Sequence, residues 1–471
     1  MELFLQCKGM NRACLAQMRW RIFSTMSRLL VCVFFFLNCF SALGQQGFSL
    51  PDGVDEVTIP FTRSQNLIVI PVKVNGTALN FILDTGASRS IIFNLQEIDS
   101  LELRTGQPLK ISGYGEREPF DVYYSDKNVL DTYGYANKNA GLFVMANDNI
   151  NLSGFLGVTI HGLMGYDFFA DFLVVIDYEN EVLKLYRDPS FIKRKLRRST
   201  RIPITIKNRK PYLQSVVQNN GSKIELNTLI DTGNGDALWL LPPLKQAVIP
   251  NKSFEDFLGM GLSGKVKGQR SKVDRVYLGK HKLNKVTVSL PEMESLTNRN
   301  VDVNQQEDYK GSIGGEVLSR FKVVLDYKNE SMYIRPESNL EEGFFYNMAG
   351  LELIEGDLEV FTTIENAKTD FSKGNYSNVS SNNGFQPNSR RRVIKITPKL
   401  LISYVRPESP ADKAGLKVGD EIIKVNSVSQ SSLSLTNVSK KFFRKPYSTI
   451  RFTVKRDEAI FKVKFELVPV I

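Results

Sequence analysis

The sequence predicts a mainly β protein: two related lobes of about 150 residues, then a smaller β-rich unit. Three observations predict it. Short apolar runs bounded by turn residues recur from residue 50 to about 345, and strong helical periodicity is scarce. A 19-residue stretch in the first half returns 149 residues later. Patterned sequence resumes at Val393, past a polar tract, and continues to Ile471.

The chain is 471 residues long, too long for one domain. Residues 29–40, LLVCVFFFLNCF, form a 12-residue apolar run preceded by Arg28 and followed by Ser41-Ala42-Leu43-Gly44. The run is short for a membrane span, which needs about 20 residues. It predicts a signal peptide over 1–44, cut after Gly44, with Met26 as an alternative start and an uncleaved membrane anchor as the alternative reading. All four cysteines, Cys7, Cys14, Cys32 and Cys39, precede that cut. The expected mature protein is exported, periplasmic or secreted, and holds no thiol. That excludes a cysteine nucleophile, a disulfide scaffold and a thiolate zinc site. His161 and His281 are the only histidines, too few for a three-histidine metal site and far from any nucleophile motif. No metal or cofactor is expected, and carboxylates are left to do any chemistry. The net charge of +11 includes two clusters, 193–198 and 390–392, at junctions between patterned segments. They read as solvated linkers rather than a nucleic-acid surface.

The first lobe, 50–200, opens with apolar strands at Leu67–Val72 and Leu79–Leu83. A hairpin is expected where Val174–Tyr178 and Val182–Tyr186 flank Glu179-Asn180-Glu181. Residues 162–180 align with 311–329 at eight of 19 positions. Phe81-Ile82-Leu83-Asp84-Thr85-Gly86 aligns with Thr228-Leu229-Ile230-Asp231-Thr232-Gly233 at an offset of 147. Two matches in the same order and spacing indicate a duplicated lobe, the second copy running over 201–340.

One Asp-Thr-Gly is a weak signal. Two, each ending an apolar strand and each about 80 residues before a repeated glycine segment, are far more specific. On these residues the sequence resembles the pepsin/retropepsin superfamily of aspartic proteases. The form is a single chain with two pseudo-twofold-related, retropepsin-like β-barrel lobes over residues 50–340. The resemblance implies that Asp84 and Asp231 meet across the lobe interface as the catalytic pair. Two carboxylates about 3 Å apart cannot both ionise cheaply, so one serves as base and the other as acid; the aspartic-protease dyad is itself a standard illustration of this effect. Gly86 and Gly233 permit the tight turn after each strand. The family's bracing threonines correspond to Thr85 and Thr232. Leu163-Met164-Gly165 and Ser312-Ile313-Gly314 match its supporting segment. Asp177 and Asp326 repeat as faithfully, yet sit at hairpin ends and read as turn residues. A flap is expected at Ile111–Gly115, with Tyr114 and Gly115, and a second at Gly259–Gly264. Tyr114 reads equally well as an ordinary hairpin aromatic.

The residue after each glycine departs from the pepsins' Ser or Thr: Ala87 in lobe one and Asn234 in lobe two. Without that hydroxyl donor the pair is expected to work at higher pH than pepsin's, although the Asn234 amide could donate instead. That departure also leaves open an inactive cleft, in a peptide-binding or scaffold protein.

Residues 366–392, rich in Asn, Ser, Gly and Arg, read as a flexible insertion. The string Val405-Arg406-Pro407-Glu408-Ser409-Pro410-Ala411-Asp412-Lys413-Ala414-Gly415-Leu416-Lys417-Val418-Gly419-Asp420-Glu421-Ile422-Ile423-Lys424-Val425-Asn426 predicts a short Ser-capped helix, a glycine stop and a strand. It resembles bacterial PDZ domains and implies one over 344–471. Ala349, Gly350 and Leu351 match that family's peptide-binding loop or else begin a plain strand. The expected partners are polypeptide substrates and a peptide or protein ligand of the PDZ domain.

Overall fold

The computed structural model describes residues 47–98, 100–111, 113–115, 119–145, 151–242, 250–292, 309–366, 390–443 and 445–471. The expected leader and its four cysteines lie outside the described residues.

In each lobe the strand leading to Asp-Thr-Gly is reached through an Asn-Gly hairpin. Asn75 and Gly76 take φ of 49° and 93° between Leu67–Val74 and Thr77–Leu83. Asn220 and Gly221 take 51° and 81° between Lys210–Asn219 and Ser222–Ile230. Positive φ at both central residues defines the type I′ turn, whose twist matches its strands. Phe81, Ile82 and Leu83 are all buried, as are Leu229 and Ile230. Strands covered on both faces carry continuous rather than alternating apolar sequence.

The eight-stranded sheet of lobe one runs in the order 62–64, 67–74, 77–83, 162–164, 91–92, 135–144, 120–132, 105–111, and 67–74 also pairs with 120–132. Lobe two repeats that order with 200–207, 210–219, 222–230, 311–313, 238–240, 281–291, 264–278 and 253–261, and 210–219 also pairs with 264–278. The lobes join through strands 173–177 and 321–326, which pair antiparallel with Val174 opposite Leu325, Val175 opposite Val324 and Ile176 opposite Val323. Residues 175 and 324 are copies of one another in the repeat, so a local twofold axis passes between them. One apolar core, including Ile59, Phe81, Val174, Ile230, Val323 and Leu325, spans both lobes.

Asp177 and Asp326 turn their hairpins. Each accepts a hydrogen bond at 3.1 Å from the backbone N–H three residues on, at Asn180 and Asn329. Their faithful repetition reflects turn chemistry.

The C-terminal sheet runs 351–366, 390–405, 421–425, 449–456, 459–466 around its own apolar core. Ser409 accepts from the Asp412 N–H at 3.2 Å and caps the helix Pro410–Lys413, and Gly415 and Gly419 take φ of 83° and 91° at the turns that follow. The expectation of a flexible tract at 366–392 needs one correction. Asn366 and Arg390 through Arg392 belong to paired strands, Asn366 opposite Arg390 and Ile364 opposite Arg392. The β-branched run Thr362-Thr363-Ile364 favours extended pairing, and the ladder carries the arginines with it. Residues 367–389 of that tract lie outside the described residues.

Candidate active site

Asp84 and Asp231 each leave a strand end pinned by one backbone bond. The Asp84 N–H donates to Met164 O and the Asp231 N–H to Ile313 O, both at 2.9 Å. Met164 and Ile313 lie in the repeated glycine segments, which therefore act as supports. The threonines lock the two loops together. Thr85 Oγ1 donates to Ile230 O at 2.6 Å, and Thr232 Oγ1 donates to Leu83 O at 2.7 Å. Each hydroxyl also accepts the other threonine's backbone N–H at 3.0 Å. Both side chains are buried, so all four groups are satisfied within the interface.

This brace brings the carboxyl groups face to face. The Gly86 N–H donates to Asp84 Oδ1 at 2.7 Å and the Gly233 N–H to Asp231 Oδ1 at 3.2 Å. A Cβ on Gly86 would stand 2.8 Å from Asp231 Oδ1 and 3.0 Å from Asp84 Oδ1, and one on Gly233 would collide with the Asp84 carboxyl carbon. Glycine is required at both positions because the opposite carboxylate fills the space. Asp84 and Asp231 hydrogen-bond to each other. Burial pushes the Asp84 carboxyl above its ordinary value, against the lowering pull of the Gly86 N–H and the Lys210 cation. The Asn234 amide nitrogen donates to Ser312 Oγ at 3.1 Å and its oxygen accepts the Asp236 N–H at 3.0 Å.

The hairpin tips meet over the pair. The Gly113 N–H donates to Ser263 Oγ and the Ser263 N–H to Tyr114 O, both at 3.0 Å. Gly115, at φ 134°, lies so close to the Ser263 backbone that a Cβ would collide with it. Tyr114 crosses to lobe two, its ring edge-on to Trp239 at 5.3 Å and its hydroxyl 3.3 Å from that of Tyr309. Ser112 lies outside the described residues. Beneath the tips is a cavity of about 1090 Å³ lined by both aspartates and both glycines. Two carboxyl groups in contact, one buried and one partly buried, with backbone N–H groups fixing one oxygen of each, can hold one shared proton and activate water against a carbonyl.

Sequence reasoning missed three features. Lys210 lines the same cavity and bears on Asp84. It follows the turn Asn208-Arg209, and no motif marks it. Lys210→Met is expected to raise both apparent pKa values of the pair and move the bell of kcat/KM against pH upward by about half a unit. An unchanged profile would remove Lys210 from the site.

The second is a buried charge chain. Arg270 contacts Asp236 at 3.1 Å and Asp256 at 2.9 Å, and Asp256 contacts Arg406 of the C-terminal domain at 3.3 Å. Asp236 also accepts from Trp239 Nε1 at 2.8 Å. The chain thus runs from the loop after Asp231 to the flap hairpin of lobe two and on to the C-terminal domain. The third is Glu352 beside it. Burial and the Asp256 charge push its carboxyl up to about 8, against the lowering pull of the Asn347 amide and the Arg270 cation. A carboxyl raised by folding stabilises the protein fully below its unfolded value of about 4.5 and loses that contribution as pH rises through about 8. Glu352→Gln is therefore expected to match the parent near pH 4 and exceed it by on the order of 1–2 kcal/mol at pH 9, read by urea unfolding.

The expected PDZ loop is closed upon itself. Ala349 and Leu351 are fully buried, and the Gly350 N–H, at φ 72°, donates to Asn347 Oδ1 at 3.0 Å.

A braced pair of Asp-Thr-Gly loops under closing hairpins defines an aspartyl-protease cleft. A family model for aspartyl protease matches residues 70–168, and one for the PDZ domain matches residues 401–456. The chain thus combines an aspartyl protease domain with a C-terminal PDZ domain. The first match ends before Asp231, whose place in the cleft comes from the geometry above. No curated protein matches the chain.

Proposed function

We propose that this protein is an aspartic endopeptidase, with Asp84 and Asp231 as its catalytic pair and the PDZ domain engaged in peptide or partner recognition. The observation that carries it is the reciprocal Thr85–Thr232 brace, which holds two carboxyl groups in contact inside a peptide-sized cavity. The ionised member of the pair takes a proton from water as it adds to the scissile carbonyl. The protonated member donates to the carbonyl oxygen. The resulting diol collapses as one carboxyl gives its proton to the leaving amine while the other, left ionised by the first step, takes a proton from a diol hydroxyl, so the pair again holds one proton. The closed hairpin tips exclude bulk water during these steps.

The test is incubation of the purified protein with a peptide library and mapping of cuts by mass spectrometry. Internal cuts blocked by a hydroxyl-bearing transition-state mimic support the reading, because a working pair binds such mimics far more tightly than substrate. An uncut library and no mimic binding would favour a peptide-binding cleft without catalysis. We also infer export, supported by the apolar run at 29–40; a mature N-terminus near residue 45 checks it.

A further inference from the structure

The cavity that holds the aspartates is not walled by the protease lobes alone. Thr436, Ser439, Lys440 and Phe443 of the C-terminal domain line it as well. The helix Leu435–Ser439 and the turn after it present two faces. Leu435, Val438 and Phe442 are buried in the domain's own core. Thr436, Ser439, Lys440 and Phe443, at steps of three, four and seven from the first, make the neighbouring face, and Phe442 reaches the cavity from the core side. Ser434 caps this helix, accepting from the Asn437 N–H at 3.4 Å, so the face is fixed by the fold.

The chemistry of this wall is specific. Phe443 is 45% exposed, a large aromatic surface left open at a cavity rim. Lys440 is exposed beside it, and no ion pair among the described residues engages it. An open ring next to an unneutralised ammonium suits an apolar chain segment that carries a carboxylate. A volume of about 1090 Å³ exceeds the roughly 300–1,000 Å³ of small-molecule pockets and suits an extended peptide.

Among the described residues strand 351–366 pairs with 390–405. Lobe one packs against the first part of this strand through the helix Leu152–Leu156 and the turn after it. At its end Gly157, at φ 66°, lies so close that a Cβ would stand 3.0 Å from Leu435 and 3.2 Å from Glu355 Oε1. With the loop at Gly350 closed, this helix face is the part of the domain that brings an exposed aromatic ring and an ammonium to the cavity.

We propose that the C-terminal domain forms a substrate subsite of the hydrolytic cleft itself, in which Lys440 and Phe443 take a carboxylate-bearing apolar portion of the polypeptide being cut. This rests on the reading of the cleft as a peptide site, but not on turnover. The carboxylate is either an acidic side chain or a chain terminus, and the experiment separates them.

Full-length protein carrying Asp84→Asn, which holds peptides without cutting them, is equilibrated with fluorescein-labelled decapeptides of randomised core. Their last two positions are Asp/Glu or Asn/Gln, each with a free or an amidated C-terminus. Acidic-ended peptides are expected to be retained about tenfold over their amide counterparts. Adding Lys440→Glu is expected to reverse that preference, and Phe443→Ala to weaken retention of all retained peptides. A preference for Asp/Glu that survives amidation assigns an acidic side chain; a preference for the free over the amidated end, whichever residues stand last, assigns the terminal carboxylate. No preference, no retention, or a preference untouched by Lys440→Glu overturns the subsite. A parent protein without hydrolytic activity that still shows Lys440-dependent retention would refute the peptidase reading alone.

Discussion

Asp84→Asn and Asp231→Asn are each expected to lower peptide hydrolysis by at least about a thousandfold while leaving the fold in place. Asparagine matches aspartate in shape and keeps an oxygen to accept the Gly86 or Gly233 N–H, bonds of 2.7 and 3.2 Å in the parent. The threonine brace does not involve the carboxyl groups and should survive. The exchange removes a group that can cycle between acid and base, and neither partner can replace the other because the steps require both forms at once. The two single variants and the double variant should be nearly equally inactive, since residues acting as a unit are not additive. The measurement is kcat/KM on one mapped peptide, with near-UV circular dichroism confirming native packing. Either variant retaining full activity would end the assignment of that aspartate.

Asp256→Ala is expected to destabilise the protein by about 3–5 kcal/mol. Asp256 is 7% exposed and meets Arg270 on one oxygen and Arg406 on the other. Its loss leaves Arg270 with Asp236 and takes from Arg406 its ion-pair partner, with the Arg406 guanidinium 4.4 Å over the Phe254 ring. The cost is the desolvation of an uncompensated buried charge, which Coulomb attraction no longer offsets. Urea unfolding reads the loss, and limited proteolysis is expected to release the C-terminal domain at lower protease concentration. An exposed pair such as Lys110 with Asp121, at 62% and 53% side-chain exposure, should contribute under about 1 kcal/mol when broken. A comparable loss at both sites would mean that the buried chain has no special place.

Local chemistry made much of this molecule legible before any coordinates. The Ser409 cap and the glycine turns at 415 and 419 are signals carried by a few adjacent residues. The duplicated lobe was legible because a repeat needs only alignment with itself, and the two Asp-Thr-Gly loops stand at matching places within it. What escaped depends on pairs distant in sequence. Arg406 and Asp256 are 150 residues apart, and nothing near either marks the other. Lys210 bears on Asp84 only because its strand pairs with the one that leads to Asp231, on the far side of the shared cavity. The arginines at 390–392 were misread because composition was weighed without the strand that pairs with them.

The antiparallel seam at Val175 and Val324 has a consequence for how the protein behaves on dilution. A cleft assembled from two separate half-chains empties as concentration falls, because each half must find the other. Here the halves are tethered, so meeting is intramolecular and its effective concentration is set by the connecting chain. Lobe one produced by itself would present residues 174–176 as a naked ribbon edge whose register suits a second copy of itself. Isolated halves should therefore self-associate, while the intact chain keeps its cleft at any concentration.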